Sequence, residues 1–190
     1  MAEMTESVKR RMIEQAARSL ASRGLQRTSF SEVLEASGAP RGSLYHHFPG
    51  GKEELVLLAL EAASGWALAR LDQTTGQPAV EVARSFVEIW RAMLERTDFG
   101  AGCAIAAVTV AADSAELLDS AARIFRGWRM RLAALLSEGG APADRASSLA
   151  ATLIAACEGA VLLARAERNF EAFEQVAREQ IAAVAAATGD

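Results

Sequence analysis

Apolar positions recur at three- and four-residue intervals along nearly the whole chain, and no alternating run bounded by turn residues is long enough to make a strand. The pattern predicts nine helices. The first covers residues 5–23, where Val8, Met12, Ile13, Ala16, Ala17 and Leu20 form one stripe and Gly24 stops it. A short second helix over 30–37 has Ser29 as its cap, Glu32 at its third position and Gly38 after its end. A third, over 40–47, runs into Phe48-Pro-Gly-Gly, which separates it from a fourth over 52–72 carrying Leu55, Ala59, Ala62, Trp66 and Ala69 on one face. Beyond the linker Thr74-Thr-Gly-Gln-Pro78, helices are expected over 79–96, 103–112, 114–137, 143–166 and 170–187.

Composition fits this all-α reading. Of 190 residues, 51% are apolar and 23% charged, enough to bury a core, and the many alanines favour closely packed helices. The longest apolar stretches, such as 102–112, fall short of the roughly 20 residues that span a bilayer, and no signal segment opens the chain, so a soluble cytoplasmic protein is expected. Cys103 and Cys157 have no paired spacing, which suggests neither a disulfide framework nor a zinc site. Charge changes the picture more. The net charge is −4, yet residues 1–52 hold eight Lys and Arg against five Asp and Glu, a net +3, while the remainder is −7. A basic head (1–50) on an acidic body (51–190) suits a module that binds a polyanion.

The candidate chemistry lies in that head. Two short helices joined by Ser37-Gly-Ala-Pro40 have the spacing of a helix-turn-helix, whose second helix enters the major groove of DNA. At about 100° per residue, Leu44 and Phe48 of the third helix share the core side, Gly42, Ser43, Tyr45 and His46 project outward, and Arg41 and His47 lie on the flanks. Glycine lets a backbone approach phosphate or sugar, Ser43 and Tyr45 donate hydrogen bonds, and Arg41 can hold guanine or phosphate. Thr28 and Ser29 offer hydroxyls and amides at the start of helix two, and Lys52, with the first amides of helix four, offers a second phosphate clamp. A merely solvated face is the competing reading of the same residues. His46 and His47 point about 100° apart with no cysteine or carboxylate beside them, so neither a metal site nor acid–base catalysis is expected.

The run Thr28-Ser-Phe-Ser-Glu-Val-Leu-Glu-Ala-Ser-Gly38, followed by Arg41-Gly-Ser-Leu-Tyr-His-His-Phe48 and Lys52-Glu-Glu-Leu55, resembles the DNA-binding domain of TetR-family transcriptional regulators. Phe48-Pro-Gly-Gly-Lys52 and Gly102-Cys-Ala-Ile-Ala-Ala-Val108 are similar to the LmrA/YxaF-like subgroup. The resemblance implies a nine-helix fold and a repressor that binds a palindromic operator in double-stranded DNA as a homodimer and leaves it when a small apolar or aromatic inducer binds. By position it assigns phosphate contacts to Thr28, Tyr45, His46 and Lys52, with Ser29 beside them, and base reading to Arg41, Gly42 and Ser43. Pro40 stands where the family usually has a capping serine, which removes a hydroxyl and an N–H from that contact.

The resemblance also places a ligand pocket in the body, for which the candidates are Trp66, Phe86, Trp90, Met93, Cys103, Thr109, Phe125, Trp128 and Cys157. Read from periodicity alone, such stripes make a filled core; the pocket is what the resemblance implies. Dimerisation is implied through the last two helices, with Leu149, Leu153, Cys157, Ala160, Val161, Phe173, Val176 and Ile181 as the candidate seam; the alternative is that these stripes face only their own subunit. No cofactor is expected. Two further readings remain: an enzyme, for which no nucleophile–base pair or phosphate-cradling loop is visible, and a DNA-binding protein that answers to a protein partner or activates transcription.

Overall fold

The computed structural model describes the backbone of residues 2–39 and 44–189 and the side chains of residues 7–39 and 45–189. Among the described residues it contains nine helices and no strand: α1 (Ala2–Arg27), α2 (Phe30–Ser37), α3 (Leu44–His47), α4 (Gly51–Asp72), α5 (Ala79–Arg96), α6 (Ala104–Thr109), α7 (Ala115–Glu138), α8 (Ala143–Glu167) and α9 (Glu171–Thr188). The expected all-α, nine-helix fold is therefore present, and α2 and α5 have the predicted ends. The sixth helix is shorter than its apolar run: Cys103 stands outside it as the cap, its Sγ accepting the Ala106 N–H at 3.4 Å, and the helix ends at Thr109, before Val110, Ala111 and Ala112.

Packing divides the chain into two compact units, Met1–Gly65 with Cys103–Ile124, and Trp66–Gly102 with Phe125–Asp190. The first is larger than the head expected over residues 1–50. The reason is that α1 packs against α6 as well as α2, so a later stretch of chain completes the head's core. That core holds Met12, Ala16 and Leu20 of α1, Val33 of α2, Phe48 just after α3, Leu55 and Ala59 of α4, and Ile105 and Val108 of α6, all buried. Gly24, with φ 78° and ψ 176°, breaks the helical path of α1 where the sequence predicts its end.

In the second unit α5 packs against α8 and α9, and α8 against α9. The buried side of α8 is Ala146, Leu149, Ala150, Leu153, Ile154, Cys157, Ala160, Val161 and Ala164. Small residues on that side let the helix axes come close. Arg91 ties α5 to α9: its guanidinium pairs with Glu174 and lies 5.8 Å from the ring centres of both Phe170 and Phe173. The start of α5 has no side-chain cap, since Pro78 occupies that position, and the Ala79 N–H instead donates to the Gly139 carbonyl at 2.9 Å. A Cβ on Gly139 would lie 2.5 Å from the Ala79 nitrogen, so this approach of two backbones requires glycine.

The fourth helix corrects one sequence expectation. Leu55 and Ala59 are buried, but Ala62, Trp66 and Ala69 are exposed, and the buried line continues instead through Leu60, Ser64 and Leu71. Residues 55–69 are apolar almost all the way round the helix, so spacing alone could not choose the side that faces the core.

Candidate nucleic-acid interface

The head presents α2 and α3 as the two arms of a helix-turn-helix. Ser29 opens α2, its Oγ accepting the Glu32 N–H at 3.3 Å. Gly38 closes it at φ 65°, and the amides of Gly38 and Ala39 return to the carbonyls of Glu35 and Leu34. Pro40, Arg41, Gly42 and Ser43 lie outside the described residues, as does the side chain of Leu44. The rest of α3, with the residue that follows it, is sharply two-sided: Tyr45 is 73% exposed and His46 is exposed, whereas His47 is buried and Phe48 is 0% exposed. His47 thus belongs to the inner side rather than the flank.

The outward residues are held from behind. The Tyr45 ring meets the edge of Phe30 at 6.2 Å, which fixes its base while leaving the hydroxyl end in solvent. Lys9 reaches over the Phe48 ring at 5.6 Å, anchoring α1 to the end of α3. The double glycine that follows has a conformational cause. Gly51 adopts φ 75°, and the Gly50 N–H donates to Glu54 Oε2 at 2.8 Å, so the chain turns sharply and α4 begins with a satisfied amide. Lys52 sits at that start; its ammonium donates to the Leu25 carbonyl at 3.0 Å and keeps two further protons for an anion.

Thr28 is the clear correction. Expected to offer its hydroxyl to phosphate, it is 2% exposed, and the hydroxyl donates to the Gly24 carbonyl at 2.8 Å and lies 3.1 Å from Ser19 Oγ. Its amide is also engaged, donating to the Leu25 carbonyl. Where Gly24 leaves the helical path, the Thr28 hydroxyl supplies the donor that a regular turn would have given, so the residue positions α2 rather than touching a ligand. Thr28→Val should lower unfolding free energy by about 1–3 kcal/mol, the cost of stranding buried acceptors. Urea denaturation followed by circular dichroism measures it, and an unchanged midpoint would remove this role.

Residues not singled out from spacing join the same edge. Arg27 is exposed immediately before Thr28, and Ser31 is exposed with its hydroxyl 3.1 Å from Ser29 Oγ. A basic residue one step ahead of a capped helix was the available signal for Arg27.

The body's candidate residues divide. Phe86, Trp90, Trp128 and Phe125 form a continuous chain of edge-on ring contacts in the second unit, with centres 6.2, 6.3 and 5.8 Å apart. Phe86, Trp90, Trp128 and Cys157 are buried, while Met93 and Phe125 are half-buried. Burial pushes the Cys157 thiol up to about 12, with the Glu158 charge adding to the effect, so this sulfur is a packing group rather than a nucleophile. Trp66 is 49% exposed. Thr109 is exposed too, and its hydroxyl donates to the Ile105 carbonyl of its own helix at 2.8 Å. Cys103 and Thr109 belong to the first unit, and the four rings to the second.

On α8 and α9 the residues expected at a subunit seam turn inward. Leu149, Leu153, Cys157, Ala160, Val161 and Phe173 are buried within the single chain, and Val176 and Ile181 are half-buried. The intrachain alternative therefore describes the six buried ones. The opposite side of α8 carries Thr152, Ala155, Gly159, Leu162 and Leu163 in the open, with Leu162 66% exposed. By length and composition α8 also passes for a membrane span, with a mean hydropathy of 1.7 over 18 residues. Discontinuous apolar runs in the sequence hid this.

Comparison with known proteins agrees with the geometry. Residues 12–59 match the family of bacterial regulatory proteins named tetR, and residues 79–179 match the C-terminal domain of LmrA/YxaF-like transcriptional regulators. An uncharacterised HTH-type transcriptional regulator of Mycobacterium tuberculosis is 38% identical over 89% of this chain and 90% of its own length. The HTH-type transcriptional regulator LmrA of Bacillus subtilis is 26% identical over 84% of this chain and 87% of its own. Among solved structures, a TetR regulatory protein of Rhodobacter sphaeroides superposes with a TM-score of 0.80 at 24% identity, covering 93% of this chain and 96% of that one. A TetR transcriptional regulator of Chloroflexus aurantiacus does so with a TM-score of 0.79 at 26% identity, covering 96% of each. With a helix-turn-helix head that exposes Tyr45 and His46, and a family match over both parts of the chain, this protein belongs to the TetR family of transcriptional regulators, in its LmrA/YxaF-like group.

Proposed function

We propose that this chain is a repressor that binds a palindromic operator as a homodimer and is released by a small apolar or aromatic molecule held in the second unit. The observation that carries the DNA face is the two-sidedness of α3: a tyrosine 73% exposed, three residues before a phenylalanine with no exposure at all. A large ring held out in solvent on a helix-turn-helix has a use when a phosphate backbone is there to meet it. Ser29, Tyr45, His46 and Lys52 make that contact, and Arg41, Gly42 and Ser43, at the start of the same arm in sequence, read the bases.

One head with a few contacts binds weakly, so two heads on one dimer are needed for useful affinity, and their twofold symmetry demands a palindrome. The dimer forms on the open side of α8. An inducer acts by preferring a state whose heads no longer match successive major grooves, weakening DNA binding by its differential affinity for the two states. The test is enrichment of duplexes from a random pool by the intact protein. Recovery of an inverted repeat with half-sites about 10 base pairs apart, or a multiple of that, supports the reading. Enrichment of single half-sites, or of nothing, overturns it.

A further inference from the structure

We infer that Ser114, in the turn between α6 and α7, is a positioning residue for the DNA face: its hydroxyl holds the Glu53 carboxylate, so that the Lys52 ammonium stays available to phosphate. This rests on the reading of Lys52 as a phosphate contact. The sequence poses the problem. Lys52 is followed directly by Glu53 and Glu54, and acids in the first turn of a helix suit its dipole. The same two carboxylates, left free beside a phosphate-binding lysine, would neutralise it and repel the DNA backbone.

Both are engaged. Glu54 Oε2 accepts the Gly50 N–H at 2.8 Å, a tie within one turn of chain. Glu53 Oε1 accepts the hydroxyl of Ser114, 61 residues further along. An ionised carboxylate only accepts, so the serine proton is committed to Glu53, and the Ser114 oxygen is left to cap α7 by accepting the Leu117 N–H at 3.4 Å. The same turn is fastened a second time. Gln26 Nε2 donates to the Ala111 carbonyl at 3.4 Å, and Gln26 is the neighbour of Leu25, whose carbonyl receives Lys52. Residues 111–114 therefore grip the end of α1 and the start of α4, the two places that Lys52 itself joins, all within the first unit. Capping alone does not require this serine, since aspartate caps a helix equally well; only a donor can hold Glu53.

The experiment separates those two roles. Ser114→Asp keeps a cap for the Leu117 amide but turns a second carboxylate on Glu53, and Ser114→Ala removes the donor without adding charge. Each should weaken binding roughly threefold per head, about tenfold for two heads, and flatten its salt dependence. Fluorescence anisotropy with a labelled duplex carrying the enriched inverted repeat measures both. Adding Glu53→Gln to either variant should restore affinity and slope, and Ser114→Thr, which keeps the hydroxyl, should match the parent. Unchanged affinity in the aspartate and alanine variants, or a loss that Glu53→Gln does not reverse, overturns the assignment; the second result is what a merely structural serine would give. Lys52→Gln, measured beside them, isolates the underlying reading. If it has no effect, Lys52 touches no phosphate and the inference falls with it. If it weakens binding while the Ser114 variants do not, only the role of Ser114 fails.

Discussion

Replacing Tyr45 with alanine and Lys52 with glutamine should weaken operator binding by about 100-fold per head, near tenfold for each lost contact, and so by about 10,000-fold for a dimer with two heads, while leaving the helical content unchanged. Tyr45 is 73% exposed, with its ring against Phe30, so its removal costs little folding energy. Lys52 needs more care, because its ammonium also donates to the Leu25 carbonyl and helps pin the end of α1 to the start of α4. Glutamine keeps a donor for that carbonyl and removes the charge, so the loss reports the phosphate and not the scaffold. The two substitutions should also leave different signatures. Losing Lys52 releases about one fewer counterion per head and flattens the dependence of binding on salt, whereas losing Tyr45, an uncharged donor, should shift affinity without changing that slope. Fluorescence anisotropy with a labelled operator across a salt series measures both. A double variant that binds as tightly as the parent, with the same slope, would move the DNA face away from α3.

How much of this was legible in the sequence depended on whether local chemistry or distant packing decided each feature. The limits of α2 could be read directly, because a capping serine and a left-handed glycine act on their immediate neighbours. So could the outward turn of Tyr45 and His46, which follows from helical spacing once Phe48 is assigned to the core. Thr28 could not. A threonine ahead of a helix looks like an anion contact until Gly24 is seen to leave the helical path beneath it and present a carbonyl 2.8 Å from its hydroxyl. Trp66 failed for another reason: α4 is apolar on nearly every side, and a pattern with no polar face has no phase. The same degeneracy governs α8, where two apolar sides compete for one core. The packing of α6 on α1, which enlarges the head, joins segments some 80 residues apart and leaves no periodic trace.

That second apolar side of α8 leads to the other large effect expected. Its most hydrophobic 18-residue window is only 44% buried by the chain's own residues, which leaves Ala155, Gly159, Leu162 and Leu163 toward solvent. On α9, Ala182, Ala183 and Ala186 are likewise exposed. Two helices bearing small residues beside exposed leucines can pack closely against a second copy of themselves, giving four helices about a twofold axis. Gly159→Glu with Leu162→Glu should therefore halve the mass seen by light scattering, to the 20.1 kDa of one chain, without loss of helicity, since a Cβ at Gly159 meets nothing within 4 Å. A glutamate at Cys157, two residues from Gly159 but 2% exposed, should instead unfold the second unit, because it places a carboxylate in that unit's own core at a cost of several kcal/mol. The contrast separates the two sides of one helix: dissociation on the open side, unfolding on the closed one. If the Gly159→Glu, Leu162→Glu protein stays dimeric, the subunits meet elsewhere. If it becomes monomeric, operator affinity should drop by a further factor of about 100 or more, because two tethered heads act at a local concentration that a single head cannot reach.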